Sequence, residues 1–213
     1  MSKVCIIIGS RRDGNSAKLA KNLIEKIKQQ RIISNIIIPG NQKIYLCTGC
    51  MDCDKNGKCD FKDDMEENIN KILESETLIF ISPTRWNLLS GDLKIFMDRL
   101  NPLYVPKKLE GKKMASITIG GKDKEEFSTE AALTSLNNFA DSAGMRIIYQ
   151  KQINNCLLAD DILKQEDFIN KIIDDLIEKI KWQKGKTYLK SSSFFINENI
   201  ILIVAQFLIL IVL

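Results

Sequence analysis

Short apolar runs alternate along the chain with longer segments in which apolar residues recur every three or four positions. The run at 4–8 is too short for a helix, is rich in β-branched residues and ends at a glycine, so it predicts a strand buried on both faces. After it, Ala20, Leu23, Ile24 and Ile27 share one face of a predicted helix. Asn15 or Ser16 is expected to cap that helix.

The same alternation continues to residue 180. Strands are predicted at 4–8, 32–38, 77–82, 113–119 and 145–150, and helices from residue 15 or 16, from 63 or 64, around 93–100, over 125–142 and over 162–180. Five strands alternating with five helices predict the α/β class, with a doubly wound five-stranded parallel sheet and helices on both faces. Ligands of such sheets bind beyond the carboxyl ends of the strands, where the strand order reverses.

Composition and charge exclude several kinds of chemistry. Lys and Arg total 31 against 27 Asp and Glu, and the net charge of +4 is spread along the chain, which disfavours nucleic acid as a partner. The absence of histidine excludes histidine general bases and histidine metal ligands. The amino terminus lacks the pattern of a signal peptide, so we expect a cytoplasmic protein with reduced thiols.

Four of the six cysteines fall in the long connection at 39–61, between the second strand and its helix. Their spacing is CxxCxxCx5C, formed by Cys47, Cys50, Cys53 and Cys59. Three thiolates at intervals of three residues, with a fourth from beyond Gly57, predict the ligands of a [4Fe-4S] cluster. Zinc or a metal-free thiol loop are the alternatives. Cys5 and Cys156 are expected to be buried apolar residues rather than ligands.

The loop after the first strand predicts a phosphate site. Residues 9–16, GSRRDGNS, form a glycine-bounded, hydroxyl-rich turn into a helix N-terminus, where backbone amides and the helix dipole attract an anion. The loop has neither a Walker sequence nor GxGxxG, which points to a mononucleotide. An ordinary strand-to-helix turn is the alternative.

The segment at 82–99, SPTRWNLLSGDLKIFMDR, resembles the SPxYWxxxSGxxKxFxDR pattern of the iron-sulfur flavoprotein branch of the NADPH-dependent FMN reductase family. The first loop resembles GSPRxxGN[ST] of that family, the cysteine spacing matches the compact motif of the branch, and Gly120-Gly121 resembles its third flavin loop. The resemblance covers about residues 1–185. It implies a flavodoxin-like fold and FMN as cofactor.

The resemblance also implies roles for individual residues. The phosphate is expected on Ser10, Arg12, Asn15 and Ser16, and the isoalloxazine beside Pro83, Thr84, Arg85, Trp86, Asn87, Gly120 and Gly121. For Trp86, ordinary core packing is the alternative. Lys94, Asp98 and Arg99 are expected to be helix-face charges.

Two departures from the family pattern concern arginines. The first loop is one residue shorter than the common form and lacks its proline, which leaves Arg11 and Arg12 as alternatives at the phosphate. Arg85 replaces the usual tyrosine. Its guanidinium either lies near the flavin, where it would favour the anionic reduced form, or points into solvent.

These features together predict an electron-transfer flavoprotein. Electrons would pass from a ferredoxin-like donor through a [4Fe-4S] cluster to FMN and on to a small-molecule acceptor. The first alternative is an NAD(P)H-dependent FMN or quinone reductase without an iron-sulfur cluster, and the second is a metal-binding module that kept the fold without flavin. The resemblance further implies a homo-oligomer.

Beyond this domain, predicted at 1–185, the residues at 186–213 are expected to form a linker and a hydrophobic C-terminal tail. Gln206 is the one polar residue from 200 to 213, and four lysines precede the tail. This run falls short of the roughly 20 residues that span a bilayer, although 194–213 would reach. A membrane tether is therefore one expectation, with a packing helix or a non-native end from an altered reading frame as alternatives.

Overall fold

Five parallel strands form the centre of the structure, a computed structural model that describes residues 3–123 and 128–182. These five are β1 (Lys3–Ile8), β2 (Ile33–Ile37), β3 (Thr77–Arg85), β5 (Lys113–Ile119) and β6 (Arg146–Ile153), and β4 (Leu88–Leu89) is a short additional strand. The order across the sheet is β2-β1-β3-β5-β6, and the two-residue β4 pairs antiparallel with the end of β3. The predicted doubly wound five-stranded parallel sheet is confirmed.

The described residues contain six α-helices, five of them between strands and the sixth after the last strand. They are α1 (Asn15–Gln29), α2 (Asp52–Asn56), α3 (Met65–Glu74), α4 (Gly91–Asp98), α5 (Glu130–Ser142) and α6 (Glu166–Lys181). The prediction that Asn15 or Ser16 caps α1 is wrong, because Gly14 holds that position. Helix α6 begins later than predicted because Asp161–Gln165 forms a separate 3-10 turn. The short α2, inside the cysteine segment, was not predicted.

Apolar side chains on both faces of the sheet build two cores. In β1, Val4, Ile6 and Ile8 point to the core under α1 and α6, whereas Cys5 and Ile7 point to the core under α3, α4 and α5. Each fully buried aliphatic side chain contributes roughly 1.5–3 kcal/mol, so these two layers dominate the folding energy. In α3, Met65 and Ile72 are buried, whereas the neighbouring Leu73 is 39% exposed.

The strand order reverses at β1, which lies between β2 and β3. The amide of Gly9 continues this pairing past the end of β1 by donating to the carbonyl of Ile81 at 2.8 Å. The loops after β1, β3 and β5 therefore leave the sheet at the same edge, beside the crevice that this reversal opens.

Some sequence predictions fall outside the described residues. These are the domain boundary near residue 185, the tail at 186–213 and the first residues of the predicted helix at 125–142. Within 3–123 and 128–182, no helix has the length and apolar character that a membrane crossing needs.

Candidate functional site

A cavity of about 140 Å³ lies at the carboxyl edge of the sheet. Eight of the residues predicted to bind flavin line it: Ser10, Arg12, Asn15, Ser16, Pro83, Thr84, Arg85 and Gly121. The loop after β6 adds Cys156 and Leu157, which the sequence analysis did not place in the site. Three loops and the carboxyl end of β3, all far apart in sequence, thus meet at one point.

The start of α1 supplies this cavity with unsatisfied donors. No side chain caps the helix, and its first turn contains no acidic residue. Ser16 is 3% exposed, and neither its hydroxyl nor that of Ser10 has a hydrogen-bond partner in the described part of the chain. Free amides at a helix N-terminus beside two free hydroxyls favour a phosphate group.

The two arginines of the first loop have different partners. Arg11 forms an ion pair with Asp92 at the start of α4, and its hydrogen bond to that carboxylate raises the pKa of Arg11. Arg12 has no acidic partner among the described residues and lines the cavity. Of the two alternatives, Arg12 is therefore the one placed to meet a phosphate.

The side chain of Asn15 has a different partner from the one expected. Its Nδ2 donates to the carbonyls of Cys156 at 3.1 Å and Leu158 at 2.7 Å, and its Oδ1 accepts from the amide of Ile162 at 3.1 Å. Both amide hydrogens are thus used, so only the backbone of Asn15 can donate to a phosphate. Asn15 instead fixes the loop after β6 as a wall of the cavity. No local sequence signal marks this role, because the partners are more than 140 residues away.

The segment between β3 and β4 is a two-residue hairpin turn. Trp86 and Asn87 have φ angles of 51° and 61°, as a type I′ turn requires. The indole of Trp86 is 97% exposed, so the alternative of core packing is wrong. A positive φ is unfavourable for a bulky residue, and so is the exposure of its apolar ring to water. The hairpin therefore displays Trp86 at the carboxyl edge of the sheet.

Arg85 precedes this turn and lines the cavity. Its guanidinium is exposed and donates to the carbonyl of Thr84 at 3.0 Å. A second cavity of about 360 Å³ adjoins the first and shares Ser10, Arg12 and Arg85 with it. The positive charge of Arg85 thus lies at the border of the two cavities.

The residues present fit FMN. The 140 Å³ cavity is smaller than the roughly 300 Å³ of an ordinary ligand pocket, which suits it to the phosphate end of a mononucleotide. The flat ring then extends toward the hairpin, where the indole offers an apolar surface. Gly120 is buried behind this site, where an added Cβ would overlap the Ser128 hydroxyl and lie 2.7 Å from a methyl of Thr129.

This close approach leads to a prediction. Replacing Gly120 by alanine should displace the loop after β5 and weaken FMN binding about tenfold or more, since overpacking of this kind costs roughly 1–3 kcal/mol. Calorimetric titration with FMN measures the effect. Gly91→Ala is the matched control, because its Cβ would meet open space at the same edge of the sheet. Equal affinities for the two variants would contradict the prediction.

The four cysteines of the 47–59 segment divide into two pairs. Cys47 and Cys50 are exposed, whereas Cys53 is 9% exposed and Cys59 is half-buried. Among residues 3–123 and 128–182, no three Cys, Asp or Glu side chains are grouped closely enough to hold a metal ion. The predicted convergence of the four thiols is therefore not found, although a set of four free thiols without histidine suits an iron-sulfur cluster.

Arg99 corrects one sequence prediction. It was expected to be a helix-face charge, but its side chain is 1% exposed and forms an ion pair with the fully buried Asp63. Burial opposes the charge, yet the hydrogen bonds that Arg99 donates to Asp63, together with the negative charge of that carboxylate, outweigh it and raise the pKa of Arg99. Lys94 and Asp98 are charges on the exposed face of α4, as expected, and they pair with each other at 2.6 Å.

The other two cysteines are buried as predicted. Cys5 is fully buried in the sheet and Cys156 is 7% exposed. Burial raises the pKa of the Cys5 thiol to about 12 and that of Cys156 to about 11. Both thiols stay protonated at neutral pH, which makes them poor metal ligands.

The strand order, the uncapped start of α1 and the three converging loops define a doubly wound α/β protein with a mononucleotide site at its switch point. Residues 2–154 match the family model of the NADPH-dependent FMN reductases. The chain belongs to this family, so it is an FMN-dependent oxidoreductase.

Curated relatives place it further within the family. An iron-sulfur flavoprotein of Methanocaldococcus jannaschii is 30% identical over 64% of this chain and 70% of its own length. An iron-sulfur flavoprotein of Archaeoglobus fulgidus is 29% identical over 56% of this chain and 54% of its own length. These relatives support the iron-sulfur flavoprotein branch.

Solved structures confirm the flavodoxin-like fold. A flavone reductase superposes with a TM-score of 0.67 at 16% identity, covering 88% of this chain and 66% of that protein. An NADH:FMN oxidoreductase superposes with a TM-score of 0.58 at 19% identity, covering 88% of this chain and 94% of that protein. At such identities the likeness concerns the fold alone.

Proposed function

We propose that this chain is an electron-transfer flavoprotein that takes single electrons from a ferredoxin-like donor and passes them to a small-molecule acceptor. When bound, FMN stores one or two electrons and a [4Fe-4S] cluster exchanges one at a time. Ser10, Arg12, Ser16 and the first amides of α1 would hold the FMN phosphate, and the hairpin at 84–89 would border the ring. Cys47, Cys50, Cys53 and Cys59 would ligate the cluster.

The observation that supports this function is the cysteine segment itself. A hydride donor can reduce FMN directly, so four thiols would have no use in a simple reductase. A one-electron donor explains them, because they provide an entry point separate from the flavin. Helix α4 reaches from the second cavity, at Gly91, toward this segment, and its eight residues span roughly 12 Å.

Isolation of the full chain under strict anaerobiosis tests the proposal. We expect one FMN per chain together with iron and acid-labile sulfide, and faster reduction by ferredoxin than by NADPH. Flavin without iron or sulfide, combined with rapid reduction by NADPH, would instead identify an NAD(P)H-dependent FMN or quinone reductase. The separation of the four thiols in the structure is the observation that favours this second candidate. Light scattering on the same sample measures whether the protein is the homo-oligomer that we propose.

The exposed indole gives a further prediction. Trp86→Ala should weaken FMN binding severalfold, because stacking area is lost, and should leave the unfolding temperature unchanged, because the indole touches no core. Calorimetric titration and thermal unfolding measure the two quantities. Trp182→Ala is the matched control, since the carbonyl of Trp182 accepts from Lys113 at the amino end of β5, away from the flavin edge. An unchanged affinity for Trp86→Ala would remove this residue from the site.

A further inference from the structure

The segment after α4 reaches the cysteines with two N–H donors. Asn101 donates from Nδ2 to the sulfur of Cys53 at 3.1 Å, and Arg99 donates from Nη2 to the sulfur of Cys59 at 3.5 Å. A thiol sulfur is a weak acceptor, whereas a thiolate is a strong one, so these contacts gain strength once the thiols lose their protons. Both donors belong to the body of the fold rather than to the 47–59 segment.

Arg99 is itself fixed at the base of the cysteine segment. Its guanidinium makes bonds of 2.6 Å and 3.1 Å to the two oxygens of Asp63 and one of 2.7 Å to the carbonyl of Tyr45. Asp63 in turn accepts from the amide of Tyr45 at 2.9 Å. The residues before and after the four cysteines are thereby joined, and the face of Phe61 lies 4.9 Å from the same guanidinium.

The other two cysteines have no such donors. In the described part of the chain, no N–H group reaches the sulfur of Cys47 or Cys50, and both residues are exposed. Cys50 contacts Asp52, a residue of its own segment. The body of the fold therefore donates hydrogen bonds to one pair of thiols and, within the described residues, none to the other pair.

We propose that Arg99 and Asn101 are positioning residues. They hold Cys59 and Cys53 in place as the first two ligands of the metal centre. Cys47 and Cys50 then bind as the third and fourth ligands. This inference rests on the proposed metal-binding role of the segment. Each thiol releases its proton to solvent as it binds the metal. The two N–H donors also withdraw charge from the ligand sulfurs, so they raise the reduction potential of a cluster held there.

The order in which the four thiols become accessible to an alkylating reagent during metal loss tests this inference. A chelator removes iron from the anaerobically isolated full chain while pulses of iodoacetamide label the exposed thiols, and mass spectrometry locates the label. We expect Cys47 and Cys50 to be labelled first, about tenfold faster than Cys53 and Cys59. Simultaneous labelling of all four would overturn the inference.

Asn101→Ala isolates one of the two donors without breaking the buried ion pair. In this variant Cys53 should join the rapidly labelled pair while Cys59 stays slow, and iron should be lost about tenfold faster, as is typical when a partner of a metal ligand is removed. The cluster potential should fall while the flavin potential is unchanged, which a general loosening of the fold would not produce. Asn101→Gln, which keeps the amide donor, should restore the slow labelling, and Lys94→Ala on α4 should change nothing.

The outcomes separate this inference from the proposed function. If the isolated protein contains no metal, the proposed function fails, and labelling of the protein as isolated still decides whether Asn101 protects Cys53. If zinc replaces iron, the same order of labelling is expected. If Asn101→Ala leaves the labelling of Cys53 and the rate of metal loss unchanged, the inference is wrong whichever metal is present.

Discussion

Replacing Asp63 by alanine should lower the free energy of unfolding by about 3–5 kcal/mol, the usual result of leaving one buried charge without its partner. Both side chains of the Asp63–Arg99 pair are almost fully buried, at 0% and 1% exposure. The loss includes the bonds that Asp63 accepts from the amides of Tyr45 and Met65. Urea unfolding measures the change.

The matched control is Asp98, the last residue of α4, which lies next to Arg99 in the sequence. Asp98 pairs with Lys94 with both side chains about half exposed. Asp98→Ala should therefore cost only about 0.3–0.5 kcal/mol, since solvent screens such a pair. Similar losses for Asp63→Ala and Asp98→Ala would show that burial does not set the strength of the Asp63 pair.

The Asp63–Arg99 pair should also make the free energy of unfolding depend on pH, and the pKa shift of Asp63 fixes the direction of that dependence. Burial opposes the charge of Asp63, but bonds from Arg99, Tyr45 and Met65 outweigh it and lower its pKa below the ordinary 3.8. A carboxyl group whose folded pKa is lowered contributes stability that is complete above the unfolded value and is lost as the pH falls through the folded one. The difference in stability between the wild type and Asp63→Asn should thus be constant from about pH 5 to 8 and shrink below about pH 4.

Replacing Cys50 by alanine should remove the bound iron and sulfide almost completely while the flavin stays bound. One of the four proposed ligands is lost, whereas the proposed FMN cavity is built by other segments of the chain. The variant should lose reduction by ferredoxin and keep reduction by dithionite. Iron analysis, flavin absorbance and stopped-flow reduction measure these properties.

Cys5→Ala is the matched control for this variant, because it removes a buried, protonated thiol that does not line the FMN cavity, and it should leave the iron content unchanged. Ferredoxin reduction of Cys50→Ala at the wild-type rate would contradict an entry of electrons at the cysteine segment.

The fold was predictable because short continuous apolar runs mark strands buried on both faces, and a period of 3.6 residues marks the buried face of a helix. Strand β5 lies where the apolar run at 113–119 placed it. Boundaries were less certain: the carboxyl end of β3 runs on to Arg85 because it pairs with β4, a contact that apolar periodicity does not encode.

The site was predictable where it depends on loops next to strands and not where it depends on distant partners. Residues of the loops after β1 and β5 and of the carboxyl end of β3 meet at one cavity, as their positions in the motif order implied. The roles of Asn15 and Arg99 escaped the sequence because their hydrogen-bond partners are far away along the chain. A charged residue near the end of an amphipathic helix is usually exposed to solvent. Arg99 differs only because the carboxylate of Asp63 lies opposite it, and the sequence around Arg99 does not show that contact.

Because of its position, the intrinsic fluorescence of Trp86 can report on flavin binding without an added label. The chain contains two tryptophans, and the other, Trp182, lies toward the opposite edge of the sheet. Fluorescence from the water-exposed indole of Trp86 should be strongly quenched by a flavin ring beside the hairpin, whereas emission from Trp182 should be less affected because energy transfer falls steeply with distance. Cofactor loading, and any movement of the hairpin when an acceptor binds, can thus be followed in the unlabelled chain in real time.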